Sequence, residues 1–242
     1  MSIIVRSAAP PSGIDTAQLG FLSAHRLFAG LPQPVLAGLA ARSVERAYRK
    51  GHNVYYAGDP TSYVFVIRSG LVALTEMDER GNAYATMTYS PGDVLGIASV
   101  VFAIPHVITA RAMADTQAVL VPGDAFRQVY LESPELAHQV TWEIYRILRR
   151  AEQATIRLAR TPVHSRLGEF LLESANSAAE SDSEPLAFDL VFSHQELAIL
   201  LGTTRETISR MLARLARTEV IAIDGRRVRV LKPDALRRLT EF

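Results

Sequence analysis

The sequence predicts an α+β fold in which a strand-rich N-terminal half, one long helix and a small C-terminal head follow one another along 242 residues. Three observations predict this order. Between Ala47 and Gln128, short runs of β-branched and aromatic residues alternate with turn residues, which is typical of a sandwich or barrel. After Ser133 the pattern becomes helical for many turns. The stretch Phe192–Arg217 then has the pattern of a helix, a tight turn and a second helix.

The segment ahead of the strands divides into two parts. Ala8–Asp15 is rich in Pro, Ser and Gly and is predicted to be a mobile arm. Thr16–Val44 contains short helical patterns. Pro32 and Pro34 are predicted to begin one of these helices, because proline is tolerated in a first turn.

The predicted strands of the N-terminal half are short and are bounded by glycine, proline and aspartate. They are Asn53–Tyr56, Val64–Ile67, Leu71–Met77, Ala83–Tyr89, Val107–Met113 and Gln117–Val121. Turns are predicted at Gly58–Pro60, at the hairpin Asp78–Gly81 and at Pro91–Asp93. Residues 1–132 are therefore predicted to hold the arm and a β-barrel domain.

A long helix is predicted to begin with Ser133 as its cap and Pro134 in its first turn. Apolar residues recur along it at intervals of 4, 3, 4, 3 and 4, the spacing of a coiled-coil seam. These seam residues are Val140, Ile144, Ile147, Ala151, Ala154 and Leu158. Residues 133–160 are therefore predicted to be a dimerisation helix. The alternative is an amphipathic helix that packs on its own domain.

A third domain is predicted over residues 161–242, because Thr161–Pro162 breaks the long helix. Its first part is predicted to contain a helix over Val163–Ser174, a flexible polar loop over Ser174–Pro185 and a strand over Phe188–Val191.

The predicted helix-turn-helix carries the start and stop signals of two helices. Ser193 and Glu196 have the spacing of a capping box. Gly202 suits the left-handed residue that ends a helix. Thr203 or Thr204 is predicted to cap the second helix.

The second of these helices is predicted to lie in the DNA major groove. Its apolar side consists of Ile208, Met211, Leu212 and Leu215. Near its N-terminal end, mostly off that side, lie Arg205, Glu206, Ser209 and Arg210. Arginine can bond guanine O6 and N7, and a carboxylate can accept from cytosine N4, so these four are candidate base-reading residues. The alternative for Glu206 is a capping interaction with Thr203.

A basic hairpin follows, so the head is predicted to be a winged helix. Val220–Ile223 and Arg227–Leu231 are predicted strands joined by Asp224–Gly225. From Thr203 to Arg238, ten Lys and Arg residues and four Asp and Glu residues leave a local excess of six positive charges, in a chain of net charge +1. Such an excess suits phosphates. An ordinary solvated face, or DNA binding without sequence preference, is the alternative.

The composition excludes several kinds of site. The absence of cysteine excludes disulfides, thiolate zinc sites and cysteine-ligated iron–sulfur clusters. No apolar run long enough to span a membrane and no signal-peptide apolar region are present, so a cytoplasmic protein is expected. The six histidines are isolated, and no H-x-H, H-E-x-x-H, G-x-S-x-G or P-loop pattern occurs. Neither an enzyme nor a metal site is therefore expected.

These parts, in this order, resemble the bacterial CRP/FNR transcription regulators, the family of the cyclic-AMP receptor protein and the fumarate–nitrate regulator. The resemblance runs from Ser23 to the C-terminus and rests on the stretches YRKGHNVYYAGDP, VFVIRSGLVAL, SPGDVLG and HQELAILLGTTRETISRMLARL. It implies a cyclic-nucleotide-binding-like β-barrel (a double-stranded β-helix, or jelly roll), a dimerisation helix and a winged helix-turn-helix. It also implies a homodimer on an inverted repeat in double-stranded DNA, with RNA polymerase as a further partner.

The resemblance also implies roles for residues of the head. Arg205, Glu206 and Arg210 match the residues that read TGTGA-type half-sites in the cyclic-AMP receptor branch. Glu206, Ser209 and Arg210 match the pattern of the fumarate–nitrate branch, which reads TTGA-type half-sites, and the choice stays open. The residues that match family contacts with DNA phosphates are Gln195, Thr204, Thr207 and Arg226.

The predicted barrel departs from the members that bind cyclic nucleotides. In the segment that begins at Gly96, Ile97 stands where those members have the glutamate that binds the ribose. His106 and Val107 stand in place of the arginine that binds the cyclic phosphate and its serine neighbour. Because a buried phosphate without that arginine is costly, cyclic AMP is not expected as the effector.

Four alternatives for the effector remain. A cyclic nucleotide could be held by a site rebuilt around Arg111, the nearest guanidinium. His106 could ligate a haem, or an apolar or acidic organic ligand could occupy the barrel. The last alternative is constitutive DNA binding without an effector. No cofactor is predicted.

Overall fold

The computed structural model describes residues 16–79, 83–178 and 186–240. The predicted arm Ala8–Asp15 lies outside the described residues, as do residues 80 and 81 of the predicted hairpin turn and 179–185 of the predicted polar loop. The chain divides into two compact units. Among the described residues, the first unit contains the chain up to Val72 together with Thr88–Arg149, and the second contains Ala73–Met87 and the residues from Arg150 onward.

Short helices and strands make up the N-terminal half, as predicted. The helices are α1 (Thr16–Ala24), a single 3₁₀ turn (Arg26–Phe28), α2 (Gln33–Arg42), α3 (Ile97–Phe102) and α4 (Gly123–Glu132). The strands are β1 (Val44–Tyr48), β2 (Asn53–Tyr55), β3 (Tyr63–Ser69), β4 (Val72–Met77), β5 (Ala83–Tyr89), β6 (Val94–Leu95), β7 (Thr109–Ala112) and β8 (Thr116–Pro122). They form two sheets, with the orders β1-β8-β3-β6 and β2-β7-β4-β5. Strands β1 and β3 pair with β8, β6 pairs with β3 and β2 pairs with β7, all antiparallel.

The sheet that contains β3 and β8 is buried on both faces. All four residues of Val64–Ile67 are buried, and so are all four of Ala118–Val121. Because successive side chains of a strand point to opposite faces, both faces must be covered. Val64 and Val66 face the helices and join their core.

Four elements of this half were not predicted, and the two-residue strand β6 is the shortest of them. Strand β1 has four exposed residues out of five, so it lacks the alternation that identifies a strand. Helix α3 is a continuous apolar run, and such a run does not distinguish a helix from a buried strand. Helix α4 follows β8 directly after Pro122, inside the region that was predicted to be β-rich.

The core of the first unit lies between the helices and the sheet that contains β3 and β8. Its largest buried side chains are Leu22, Leu27, Phe28, Leu39, Ile97, Phe126 and Leu136. The Phe28 and Phe126 rings meet edge to face with their centroids 6.3 Å apart. Burial of each such side chain contributes about 1.5–3 kcal/mol, so this cluster dominates the stability of the unit.

The long helix, α5, runs over Pro134–Arg160 and is capped by the Ser133 hydroxyl, which accepts from the Leu136 amide at 3.2 Å. The predicted seam does not form one open stripe along it. Val140 is only 1 % exposed inside the core of the first unit, and Ile144 and Ile147 pack against the same core. The first three seam residues therefore face their own unit, as in the alternative of an amphipathic helix. Of the other three, Ala151 and Ala154 are half-buried and Leu158 is exposed.

A buried carboxylate joins α5 to the 3₁₀ turn Arg26–Phe28. Glu143 is 1 % exposed and accepts from Arg26 at 3.2 and 3.3 Å and from Arg146 at 2.7 and 3.2 Å. Arg26 also lies 3.5 Å from Asp93, in the turn before β6. The acid is thus compensated by two guanidinium groups that are themselves partly in water.

The second unit contains a helical head with a small sheet. Its elements are α6 (Val163–Ala178), β9 (Ala187–Asp189), α7 (His194–Leu201), α8 (Arg205–Arg217), β10 (Ile221–Asp224), β11 (Arg227–Val230) and α9 (Pro233–Arg238). The sheet has the order β10-β11-β9. Its core includes Leu167, Leu171, Phe188, Leu197, Ile208, Leu212, Ile221, Val228 and Leu236. Helix α6 continues beyond the predicted end at Ser174 because Ala175 is still buried in this core.

We predict that Glu143→Ala lowers the free energy of unfolding by about 2 kcal/mol, because it removes the buried acceptor that four N–H groups of Arg26 and Arg146 share. Urea unfolding followed by circular dichroism measures the change. The control is Glu132→Ala, an exposed carboxylate at the end of α4, which should change stability by less than about 0.5 kcal/mol. Equal effects of the two substitutions would contradict the role assigned to Glu143.

Candidate nucleic-acid interface

The first helix of the motif, α7, begins and ends as the sequence predicts. The Ser193 hydroxyl accepts from the Glu196 amide at 3.2 Å, and the Glu196 carboxylate accepts from the Ser193 amide at 2.7 Å, which completes the capping box. Gly202 ends the helix in the left-handed conformation, with φ +61°. A Cβ at Gly202 would lie 3.1 Å from the end of the exposed Leu158 side chain, which can move away, so the need for glycine at this turn is conformational.

The second helix, α8, is capped by Thr204, whose hydroxyl accepts from the Thr207 amide at 3.3 Å. Ile208 and Leu212 are buried in the core of the head, and Met211 and Leu215 pack against it. The predicted apolar side is therefore the side that α8 buries. Since Thr204 is the cap, the capping role considered for Glu206 with Thr203 is not formed.

Three of the four candidate base-reading residues are exposed at the start of α8. They are Arg205, Glu206 and Arg210. The Arg210 guanidinium donates to the Thr207 hydroxyl at 3.2 Å, which limits the directions that it can take. Glu206 makes no ion pair with any described residue, so its carboxylate can accept a hydrogen bond from outside the chain.

The fourth candidate, Ser209, is half-buried and bonded within the head. Its hydroxyl lies 2.9 Å from Nδ1 of His194, at the first position of α7. Sequence reasoning missed His194, because the two residues are 15 positions apart and no local pattern joins them. This contact links the two helices of the motif at the end that carries Arg205.

The residues matched to phosphate contacts lie around this group. Gln195 is exposed on α7, and Thr204 and Thr207 are half-buried at the start of α8. Arg226 is exposed in the two-residue turn Gly225–Arg226, on either side of which Asp224, the last residue of β10, pairs with Arg227, the first residue of β11. The predicted hairpin is thus present.

The exposed side of the hairpin is basic. Val228 and Val230 of β11 are buried, and Arg227 and Arg229 alternate with them on the outer side. Arg227 pairs with Asp189 of β9 at 3.4 Å. The strand therefore adds cationic groups to the surface of the head while its valines complete the core.

A buried arginine supports the turn of the motif from inside. Arg166 of α6 is 6 % exposed, and its guanidinium donates to the carbonyl oxygens of Leu201 at 3.0 Å and Gly202 at 3.5 Å. It also donates to the carbonyl of Thr161 at 2.6 Å. Burial lowers the pKa of Arg166, and the neighbouring Arg157 adds to this, although arginine remains charged at every working pH.

The structure brings together only part of the predicted effector pocket. A Cβ on Gly96 would lie 3.2 Å from Cε1 of His106, so these two residues are in contact. Ile97 instead faces the core of the first unit, and Val107 is 75 % exposed. Arg111 alternates in β7 with the buried Ala110 and Ala112, so its side chain leaves the strand on the other face.

His106 is held by aromatic stacking. It is 4 % exposed, and its ring lies parallel to that of Tyr55 with the centroids 3.6 Å apart. Its amide donates to the Asp59 carbonyl at 3.0 Å and its carbonyl accepts from the Gly58 amide at 2.7 Å. Burial lowers the pKa of His106, whereas Asp59 raises it, and burial raises the pKa of Tyr55. The neutral imidazole is therefore the form that this site favours.

Two further features concern the part of the chain that the structure describes. There, no three His, Cys, Asp or Glu side chains come together as a metal site would require. Over the same residues, no helix is both long and apolar enough to cross a bilayer.

Comparison with known protein families finds two matches that agree with this geometry. A model of the Crp-like helix-turn-helix domain matches residues 165–239, the head just described. A model of the cyclic nucleotide-binding domain matches residues 45–133, the two sheets and α4.

Relatives with the same arrangement are transcription regulators. The chain is 28% identical over 191 residues to a global nitrogen regulator of Synechococcus elongatus, covering 78% of this chain and 86% of that one. It is 26% identical to a CRP-like cAMP-activated global transcriptional regulator of Mycobacterium tuberculosis, covering 88% and 95%. The solved structure of FixK2 from Bradyrhizobium japonicum superposes with a TM-score of 0.64 at 26% identity, covering 83% and 98%. The chain therefore belongs to the CRP/FNR family of DNA-binding transcription regulators and is not an enzyme.

Proposed function

We propose that this regulator binds an inverted-repeat operator as a homodimer, and that Arg205, Glu206 and Arg210 read the bases. One observation carries the proposal: these charged side chains are exposed together at the start of α8, while Ile208 and Leu212 anchor the same helix in the core. The N-terminal end of a recognition helix is the part that meets base edges. Phosphate contacts by Gln195, Thr204, Thr207 and Arg226 would fix the register of the head.

The two half-site types differ in one of the three residues proposed to read their bases. Both use Glu206 and Arg210, whereas a TGTGA-type site adds Arg205 and a TTGA-type site adds Ser209. The bond between Ser209 and His194 favours Arg205, because the serine hydroxyl already has a partner inside the head. Selection of bound DNA from a random library tests the proposal, and repeats with Arg205→Ala and Ser209→Ala show which residue sets the half-site. A library without any enriched inverted repeat would reject sequence-specific binding.

Arg210→Ala is expected to cost about 1–3 kcal/mol in binding to the selected operator and to relax the choice at one base pair. The reason is the loss of a bidentate contact with a guanine edge. Competition binding at fixed salt with operators varied at each position measures it. The control is Gln195→Ala, which should weaken all operators about equally. A uniform loss with Arg210→Ala as well would show that Arg210 does not read a base.

A homodimer interface on α5 is also part of the proposal, but on a side different from the predicted seam. Trp142, Tyr145 and Leu148 are 49 %, 48 % and 55 % exposed, at three-residue spacing on the first unit's part of the helix. The Trp142 and Tyr145 rings meet edge to face at 5.5 Å, so they form one apolar surface. Exposed aromatic residues grouped in this way are typical of protein interfaces. Two such chains would present two recognition helices to successive major grooves, about 34 Å apart.

Leu148→Asp is expected to make the protein monomeric, because it places a charge in the proposed interface. Sedimentation velocity measures the change, and the unfolding midpoint should stay within a few degrees of that of the parent chain. The control is Leu131→Asp, an exposed leucine on α4, which should leave the dimer intact. Ile147→Asp should instead unfold the first unit, because Ile147 packs against its core. A Leu148→Asp protein that sediments like the parent chain would exclude this interface.

For the effector, we propose that ordinary cyclic AMP is not bound. The position of the phosphate-binding arginine holds the buried, neutral ring of His106, stacked on Tyr55. The alternation of β7 also argues against a site rebuilt around Arg111. Haem ligation by His106 is disfavoured in the same way, because the ring would first have to leave its stack. An organic ligand, or no effector, remains consistent with these contacts.

Isothermal titration of the protein with cyclic AMP and cyclic GMP should therefore give no binding. DNA affinity, measured in parallel, should be unchanged by either nucleotide. Binding of either at micromolar concentrations would overturn this part of the proposal and would leave the operator proposal standing. RNA polymerase is the further partner that we propose, since the relatives are transcription regulators.

A further inference from the structure

The head contains an open cleft between α6, α8 and α9, with a volume of about 570 Å³. Its apolar wall consists of Val163, Met211, Leu215, Val220, Ala235 and Leu239. Sites that bind small organic molecules have volumes of about 300–1,000 Å³. The cleft is thus large enough for a ligand with an apolar body.

The apolar wall is an extension of the core of the head. Met211, Leu215 and Leu239 pack against the core from one side and line the cleft with the other. A side chain that borders an empty cleft has no neighbouring protein atoms on that side and loses the dispersion contacts that they would provide. An apolar ligand would supply those contacts, and its transfer out of water would also favour binding.

A cationic group lies at the rim of this cleft. Arg214 is exposed on α8, and its guanidinium makes no hydrogen bond or ion pair with any described residue. No acidic side chain lies among the described residues that line the cleft. Glu219, close by in the sequence, is 3.7 Å from Lys232. His164 lies at the same rim.

The remaining polar group at the rim is already used by the helix itself. The Thr218 hydroxyl donates to the carbonyl oxygens of Arg214 at 3.0 Å and Leu215 at 3.3 Å. It therefore closes the last turn of α8 and offers no proton to a ligand. Arg214 is the group at the rim that carries its charge at every working pH, so it would favour an anionic occupant.

We infer that this cleft binds an amphipathic carboxylate, with the alkyl chain against Met211, Leu215 and Leu239 and the carboxylate on Arg214. An apolar wall with one cation at the rim matches the two parts of such a molecule, and the arginine fork matches the two carboxylate oxygens. The binding needs no DNA, so its test is independent of the proposed function.

Isothermal titration of the full chain with decanoate, octanoate and decanol tests the inference. Decanoate should bind about fifteenfold more tightly than octanoate, because each of its two additional buried methylenes strengthens binding about fourfold. Decanol should bind about tenfold more weakly than decanoate, because it lacks the charge-assisted bond.

Variants locate the site. Arg214→Gln should weaken decanoate about tenfold and leave decanol unchanged. Its matched control is Arg217→Gln, an exposed arginine of the same helix that does not line the cleft. Ala235→Phe should abolish the binding of both ligands, because the ring fills the cleft. Should Ala235→Phe not fold, the methyl resonance of Met211 in the parent protein serves instead, and decanoate should shift it.

Three results would overturn the inference. The first is no binding of decanoate to the parent chain. The second is decanoate binding that Arg214→Gln does not weaken and that does not shift the Met211 methyl resonance, since the ligand would then lie elsewhere. The third is a change in sedimentation caused by Ala235→Phe without decanoate binding, which would assign the cleft to a contact between protein chains.

Discussion

The position of the recognition helix depends on the hydrogen bonds of one buried side chain, Arg166. Its guanidinium satisfies the carbonyls of Leu201 and Gly202, at the C-terminal end of α7, where a helix carries partial negative charge. A third bond, to Thr161, holds the break between α5 and α6. Because these carbonyls are not satisfied within their own helices, the arginine stabilises both helix ends with one charge. Helix α6, through Arg166, therefore fixes the turn between α7 and α8 and with it the orientation of α8.

Much of the head could be predicted from the sequence because its signals are local. The capping box uses residues three apart, and the left-handed turn of Gly202 and the hairpin at Gly225 each need only one glycine. The signals that predict the short strands of the β-rich half, runs of β-branched and aromatic residues between turn residues, are local in the same sense. In each case the residues that determine the local structure lie within a few positions of one another, so the sequence alone is enough to predict that structure.

The features that could not be predicted are contacts between distant residues. Periodicity identified the apolar side of α5 but not what covers it, so Val140 was assigned to a partner chain and lies instead in its own core. The bond between His194 and Ser209 and the bonds from Arg166 to Leu201 and Gly202 join positions 15 to 36 apart. Strand β1 is held by pairing with β8 rather than by its own composition. Such features depend on the tertiary fold, which the local pattern does not contain.

The division of labour on α8 has a consequence for how this protein can change over evolutionary time. Ile208 and Leu212 hold the helix, whereas Arg205, Glu206 and Arg210 contribute no buried surface to the fold. Substitution of exposed residues usually alters stability by less than about 0.5 kcal/mol. Under the base-reading role proposed for these three residues, target preference can therefore change with little effect on folding, while Gly202 is constrained by its left-handed conformation. New operators become accessible through a few surface changes on an unchanged scaffold.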